Sequence, residues 1–287
     1  MRIRSSFGKY EILRFFQMVT RAINYILLII AAIATFFPLF WMVVLSLSHN
    51  PAGSATLTEL TSNGFGITNY SDIISADHYG LYFFNSFIVA FIVAIGNCVL
   101  CTYSAYAFAR LDFPMKRTLF TTVLLVLMLP AYVVMIPLYR EIVVFGWINT
   151  YFALTVPFIV TPLGIFLLRQ YISELPKELE EAAVLDGAST MNILHKIIFP
   201  LAKPALVVLF LYQFLNTWNA FLFPFLFTNT DKLRTLPVAL TFFQGQQSID
   251  IGHLMAGAGL SAIPVLILFA VFQRKIIAGL TAGAVKG

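Results

Sequence analysis

The chain has 287 residues, 60% of them hydrophobic and only 11% charged, with 29 Phe and a mean hydropathy of +0.87. Soluble domains run nearer half apolar and about a quarter charged. The composition therefore excludes a cytosolic enzyme, a disordered regulator and a secreted disulfide scaffold, and points to an all-α polytopic membrane protein.

A helix crossing about 30 Å of hydrocarbon needs roughly 20 apolar residues. Six uncharged windows meet that length: Asn24–Ser46, Tyr82–Ala109, Thr118–Tyr139, Gly146–Leu168, Ala205–Thr230 and Ile251–Gln273. Six transmembrane helices in one membrane domain (24–273) are expected, between an N-terminal tail (1–23) and a C-terminal tail (274–287). The first window is longer than the roughly 7–15 residues of a signal-peptide core and has no A-x-A-like site close behind it, so it reads as a span.

Basic residues set the orientation. Arg2, Arg4, Lys9, Arg14 and Arg21 precede the first window; Arg110, Lys116 and Arg117 follow the second. Arg169, Lys177, Lys196 and Lys203 lie between the fourth and fifth, and Arg274, Lys275 and Lys286 follow the sixth. Only Arg140, Lys232 and Arg234 fall on the other side. The positive-inside bias then places both termini in the cytoplasm. The net charge of +5 follows from that bias and implies no nucleic-acid partner.

Within the windows, Pro38, Pro130, Pro137, Pro157, Pro162, Pro224 and Pro264 each remove a backbone donor, so each is an expected kink, structural or functional. Cys98 and Cys101 form a C-x-x-C inside the second window, where a thiolate would lie in hydrocarbon; packing is the expected role. The last window opens with small residues four apart (Gly252/Ala256, Gly257/Ser261), a surface on which helices approach closely. Asn85, Asn97, Gln213, Asn216, Thr217, Trp218 and Asn219 are polar or amphipathic groups that hydrocarbon penalises. Gln213, Asn216 and Thr217 share one face of the fifth window. Amides beside an aromatic ring suit a neutral polyhydroxy solute; the competing reading is interhelical hydrogen bonding. The centres of the windows carry no Lys, Arg, Asp or Glu, which argues against a proton relay, an ion-coupled carrier or a voltage sensor.

The segment 169–204 is unusually acidic. Pro176 suits a first helical turn, and Glu178, Glu180 and Glu181 suit the positive end of that helix. Leu175, Leu179, Ala182 and Ala183 form an apolar stripe, and Gly187 reads as the left-handed terminating residue. A second helix starts at a Ser189 or Thr190 cap, presents Ile193, Leu194, Ile197 and Ile198, carries His195 and Lys196, and closes at Pro200. Two such short helices need a surface to dock on. A DNA-binding helix-turn-helix is rejected because the first helix is acidic and the segment is tied to the bilayer at both ends.

Glu181-Ala182-Ala183, three residues, Gly187, nine residues and Ile197-x-x-Pro200 resemble the EAA motif of ABC-importer permease subunits, with Phe199 where Leu is usual. The resemblance implies a cytoplasmic coupling helix-turn-helix between spans four and five, with Glu181, Ala182, Ala183, Gly187 and Pro200 contacting an ATPase subunit. Trp218-Asn219-x-Phe221-Leu222, Leu233–Gln246, Met255–Arg274 and the ending Gly279–Gly287 are similar to carbohydrate-importer permeases of the maltose type, over nearly the whole chain. That likeness implies a heterodimeric partner permease, an ATPase pair and an extracytoplasmic solute-binding protein. It gives Ala282, Gly283, Ala284, Val285, Lys286 and Gly287 a docking role at the ATPase, and points Gln244, Gln246 and Gln247 toward the binding protein. A same-fold permease for an amino acid, phosphate or peptide is the alternative.

The chain lacks G-x-x-x-x-G-K-[ST] and H-E-x-x-H, so no nucleotide loop, zinc site or cofactor of its own is expected. The energy for active transport must come from another subunit, driving alternating access about a central site.

Overall fold

The computed structural model describes residues 4–48, 64–75, 78–242 and 251–284, with side chains placed from 17 to 273. In chain order the helices are α1 (Arg4–Leu47), α2 (Thr68–Ser75), α3 (Tyr79–Arg110), α4 (Lys116–Leu127), α5 (Met135–Val144), α6 (Tyr151–Thr155), α7 (Pro162–Glu174), α8 (Glu178–Leu185), α9 (Thr190–Ile193), α10 (Lys203–Trp218), α11 (Leu222–Phe227), α12 (Leu236–Phe242) and α13 (Ile251–Ala284). Among the described residues the only strand-like pairing is one isolated bridge, Ser48 with Phe65. The mostly helical fold is as expected.

The apolar windows divide into two kinds. Gln17–Leu47 of α1, the whole of α3 and Ile251–Gln273 of α13 are each long and apolar enough to cross a bilayer unbroken. Three further stretches pass only as bent pairs: Lys116–Leu127 with Ala131–Val144 at 98°, Tyr151–Phe158 with Pro162–Glu174 at 40°, and Thr190–Leu201 with Lys203–Trp218 at 76°. The windows 118–139 and 146–168 are thus not single rods, and the 76° bend lies just ahead of the window 205–230. Pro130 follows the break after α4, and Pro157 sits in the 3-10 turn before α7. Pro162 occupies the first turn of α7 behind a Thr161 cap, whose hydroxyl accepts from the Gly164 amide at 3.1 Å. The fifth window stops at Trp218: Asn219 turns its amide onto the Leu215 carbonyl at 2.9 Å, and the chain restarts as α11. Pro38 and Pro264, by contrast, lie inside continuous helices. There the hydrogen-bond ladder continues on both sides of the one missing donor.

The described residues fall into two compact units, one drawn from 1–73 with 249–259 and the other from 74–248 with 260–287. In the first, Asn69 of α2 donates from Nδ2 to the carbonyls of Ser46 and Ser48, at 2.8 and 3.0 Å. Its amide also lies where a Cβ on Gly252 would fall, 2.7 Å away. Here the small residues of α13 give the close approach expected of them.

The second unit is organised on α3, against which α7, α10 and α12 pack. One apolar cluster joins Cys101, Ala105 and Tyr106 of α3 to Ile165, Leu168 and Ile172 of α7, to Ile193, Leu194 and Ile198, and to Ala205 and Leu209 of α10. A second joins Val89 and Val93 to Ile142, Ala153, Leu154 and Phe227. Both thiols are free, the Cys101 side chain buried and Cys98 partly so, in agreement with packing roles. Asn97 donates to Thr161 Oγ1 at 3.1 Å. Asn85 donates to the Lys232 and Arg234 carbonyls at 3.0 Å each and accepts from the Tyr151 hydroxyl at 2.6 Å. These two amides are therefore interhelical ties.

Candidate functional site

The segment 175–202 is built as two half-helices with different anchors. Glu178, Glu180 and Glu181 occupy the first turn of α8, where the exposed amides and the helix dipole favour carboxylates. Gly187 ends the helix at φ +80, the left-handed conformation expected of it. Ser189 then caps α9, its hydroxyl accepting from the Asn192 amide at 3.4 Å.

Beyond α9 the ladder widens to a π segment, Leu194–Ile198, and continues through a helical turn at Phe199–Leu201. Pro200 therefore does not close the second helix. It sits in the helical turn that continues the π segment. The chain turns by 76° only at Ala202, ahead of Pro204 in the first turn of α10.

The second half is held by apolar burial: Ile193, Leu194 and Ile198 all lie inside the α3–α7–α10 cluster. His195 stacks on Phe199 and meets the Tyr103 hydroxyl through Nε2 at 2.9 Å. The first half has no buried residue. The expected stripe is only partly inward: Leu175 and Ala183 are half-buried, Leu179 and Ala182 exposed.

Leu175 and Ala183 touch the edge of that cluster, and the rest of the hold on α8 is polar. Arg110, the last residue of α3, donates from Nε to Glu180 Oε1 at 2.6 Å and from Nη2 to the Leu175 carbonyl at 2.6 Å. The Tyr106 hydroxyl donates to Glu180 Oε2 at 3.2 Å. The Arg110 and Glu180 side chains are 7% and 12% exposed. Sequence reading missed this pair; Arg110, a lone cation closing the second window, was its available signal. Beside it lies a cleft of about 620 Å³ lined by Tyr106, Arg110, Lys177, Glu180, Glu181 and Val184, among others. At its rim Leu185 is 89% exposed.

Among the residues singled out in sequence, Glu181, Ala182, Gly187 and Pro200 lie exposed on this segment and Ala183 is half-buried. The polar set on the fifth window divides. Gln213 is buried and donates to Thr217 Oγ1 at 3.4 Å; Trp218 is buried, donating from Nε1 to the Ser261 carbonyl at 3.1 Å; Asn216 and Asn219 are exposed. Ala282, Gly283 and Ala284 are backbone positions at the end of α13. Gln244, Gln246, Gln247, Val285, Lys286 and Gly287 lie outside the described residues.

Apolar, repeatedly broken helices packed on one central span, with a short helix held out at its end, define a helical integral membrane protein. Residues 99–281 match the family described as binding-protein-dependent transport system inner membrane component, and the chain belongs to that family.

It is 37% identical to the trehalose/maltose transport system permease protein MalG of Thermococcus litoralis, covering 94% of this chain and 99% of that one. It is 35% identical to the arabinooligosaccharides transport system permease protein AraQ of Halalkalibacterium halodurans, over 80% and 86%. To the trehalose transport system permease protein SugB of Mycobacterium tuberculosis it is also 35% identical, over 87% and 92%. Among solved structures it shares its fold with a chain of a bacterial ABC transporter involved in the import of the acidic polysaccharide alginate, at a TM-score of 0.78 and 22% identity, over 91% and 96%. The family read from the Glu181–Pro200 motif is borne out.

Proposed function

We propose that the chain is the permease subunit of an ATP-binding-cassette importer for a sugar or oligosaccharide, forming half of the translocation pathway. The observation that carries this is the 37% identity to a trehalose/maltose permease along 94% of the chain. The three unbroken helices and three bent pairs support six spans. Fifteen of the 18 basic residues on one side support cytoplasmic termini. The membrane domain then covers 24–273, between tails 1–23 and 274–287, in the cell membrane.

The partners are a second permease, a pair of ATPase subunits and an extracytoplasmic solute-binding protein. The exposed part of the 175–202 segment suits docking on the ATPase, with Glu181, Ala182, Ala183 and Gly187 at the contact and Pro200 at the end of the motif. The tail 282–287 would reach the same subunit, and Gln244, Gln246 and Gln247 would meet the binding protein. Asn216 and Asn219, exposed next to Trp218, are the better candidates for lining a pathway, because Gln213 and Trp218 are buried inside the fold. Nucleotide-driven motion of the loop would swing the helices between inward and outward access.

The test is purification of the tagged chain from native membranes in mild detergent, with mass spectrometry of stoichiometric partners. Recovery of an ATPase and a second permease is expected, and Glu181→Lys or Gly187→Asp should abolish solute-stimulated ATP hydrolysis. Recovery of the chain alone, or wild-type stimulation in both variants, would sink the reading. A sugar specificity fails if the accompanying binding protein takes up an amino acid, phosphate or peptide and no saccharide.

A further inference from the structure

We propose that Arg110 and Glu180 form a strut that passes displacement of α8 to α3, so that the docking helix and the central span move as one body. The proposal rests on the coupling reading above and adds two positioning residues to it. It starts from an asymmetry in how the 175–202 segment is held. Ile193, Leu194 and Ile198 are sunk in the apolar cluster, whereas α8 has no buried residue. Of α8, only the half-buried Ala183 packs on that cluster, too shallow a hold to carry a pull on α8 alone.

Directional bonds can. One guanidinium reaches two places, the Glu180 carboxylate in the first turn of α8 and the Leu175 carbonyl at the end of α7. Tyr106, one helical turn earlier on α3, takes the other carboxylate oxygen. The last turn of α3, the end of α7 and the first turn of α8 are thereby locked by three bonds, two of them to a single acid. The neighbouring charges, Lys177 and Glu181, line the cleft and are exposed, so they are screened and offer Glu180 and Arg110 no equivalent substitute partner. Charge-assisted, nearly water-excluded bonds are the strongest polar contacts available to a protein. Breaking one partner also leaves a buried charge unsatisfied, so the lock resists push and pull alike. Because α7, α10 and α12 pack on α3, motion delivered to the end of α3 reaches the whole unit.

The test uses the whole importer, purified through this chain with its partners, after Cys98 and Cys101 are replaced by Ala. Spin labels on Leu185→Cys of α8 and Leu111→Cys beyond α3 report the distance between the two elements by pulsed electron resonance, with and without ATP plus vanadate. With the pair intact the distance should stay the same, while solvent accessibility of the Leu185→Cys label changes on nucleotide binding. In Glu180→Gln and Arg110→Gln the distance distribution should gain a second, nucleotide-dependent population. The exchanged pair, Arg110→Glu with Glu180→Arg, should restore one population, a rescue that lost stability alone would not show. If the single variants fail to assemble, Tyr106→Phe removes one bond without orphaning a charge and should broaden the distribution. A distance that changes on ATP binding in the unmodified pair, or stays single in all assembled variants, overturns the strut. A preparation without an ATPase overturns the coupling reading, and the strut with it.

Discussion

At Gly164 the backbone of α7 comes so close to α3 that a Cβ would lie 2.7 Å from Asn97 Oδ1, 2.8 Å from Cys101 Sγ and 3.0 Å from Thr161 Oγ1. These are side-chain ends, but Asn97 and Cys101 are fully buried and Asn97 is tied to Thr161 by a hydrogen bond, so they have little room to shift. Gly164→Ala should therefore destabilise the protein by about 1–3 kcal/mol, the usual cost of overfilling a packed interior. Thermal unfolding in detergent measures it, and Cys101→Ala in the same chain should recover part of the loss. An unchanged midpoint would mean that the helices separate without cost.

Residue identity was legible in sequence where chemistry is local. Gly187 takes the left-handed conformation assigned to it, and the two cysteines pack as small apolar groups. The inward turn of Glu180 was not legible, because Glu178, Glu180 and Glu181 look alike on paper. Which of them faces the protein depends on the phase of α8, set by Arg110, 70 positions away.

At the scale of elements, hydropathy found the apolar windows and did not find their breaks. Pro130, Pro157 and Pro162 sit at bends, whereas Pro38 and Pro264 do not interrupt their helices. A missing donor permits a bend; neighbouring packing decides whether one occurs. The same holds for the loop, whose second helix runs past Pro200 because Leu194 and Ile198 are pinned in the core.

Ile198→Ala should accordingly cost about 2–5 kcal/mol, as for other buried aliphatic side chains cut back to Ala. Hydrogen exchange should show the loss concentrated in 190–202, with the first turn of α8 protected as before. Equal deprotection of α8 would mean that its polar mount depends on the apolar one.

For the whole molecule the sharpest expectation concerns sidedness. In a chain without Cys98 and Cys101, a membrane-impermeant maleimide applied to intact cells should label Val144→Cys and leave Leu185→Cys untouched, and inverted vesicles should give the reverse. Both positions are exposed in the chain by itself, at 76% and 89%, and the vesicles are stripped of the ATPase so that Leu185→Cys is open to reagent. Labelling of Leu185→Cys from outside would reverse the orientation drawn from the basic residues.

Sequence by itself determined that this is an apolar helical membrane protein, where the hydrophobic windows lie and which family it belongs to. Those properties depend on composition and on spacings of a few residues, which local chemistry dictates. Only the tertiary structure decided which windows are broken, which intramembrane amides are already committed, and that α8 is mounted by Arg110, Tyr106 and Glu180. Each of those depends on groups far apart in sequence meeting at one place. A polar group's role is set by whether a partner reaches it in the fold, and the order of residues along the chain does not reveal that partner.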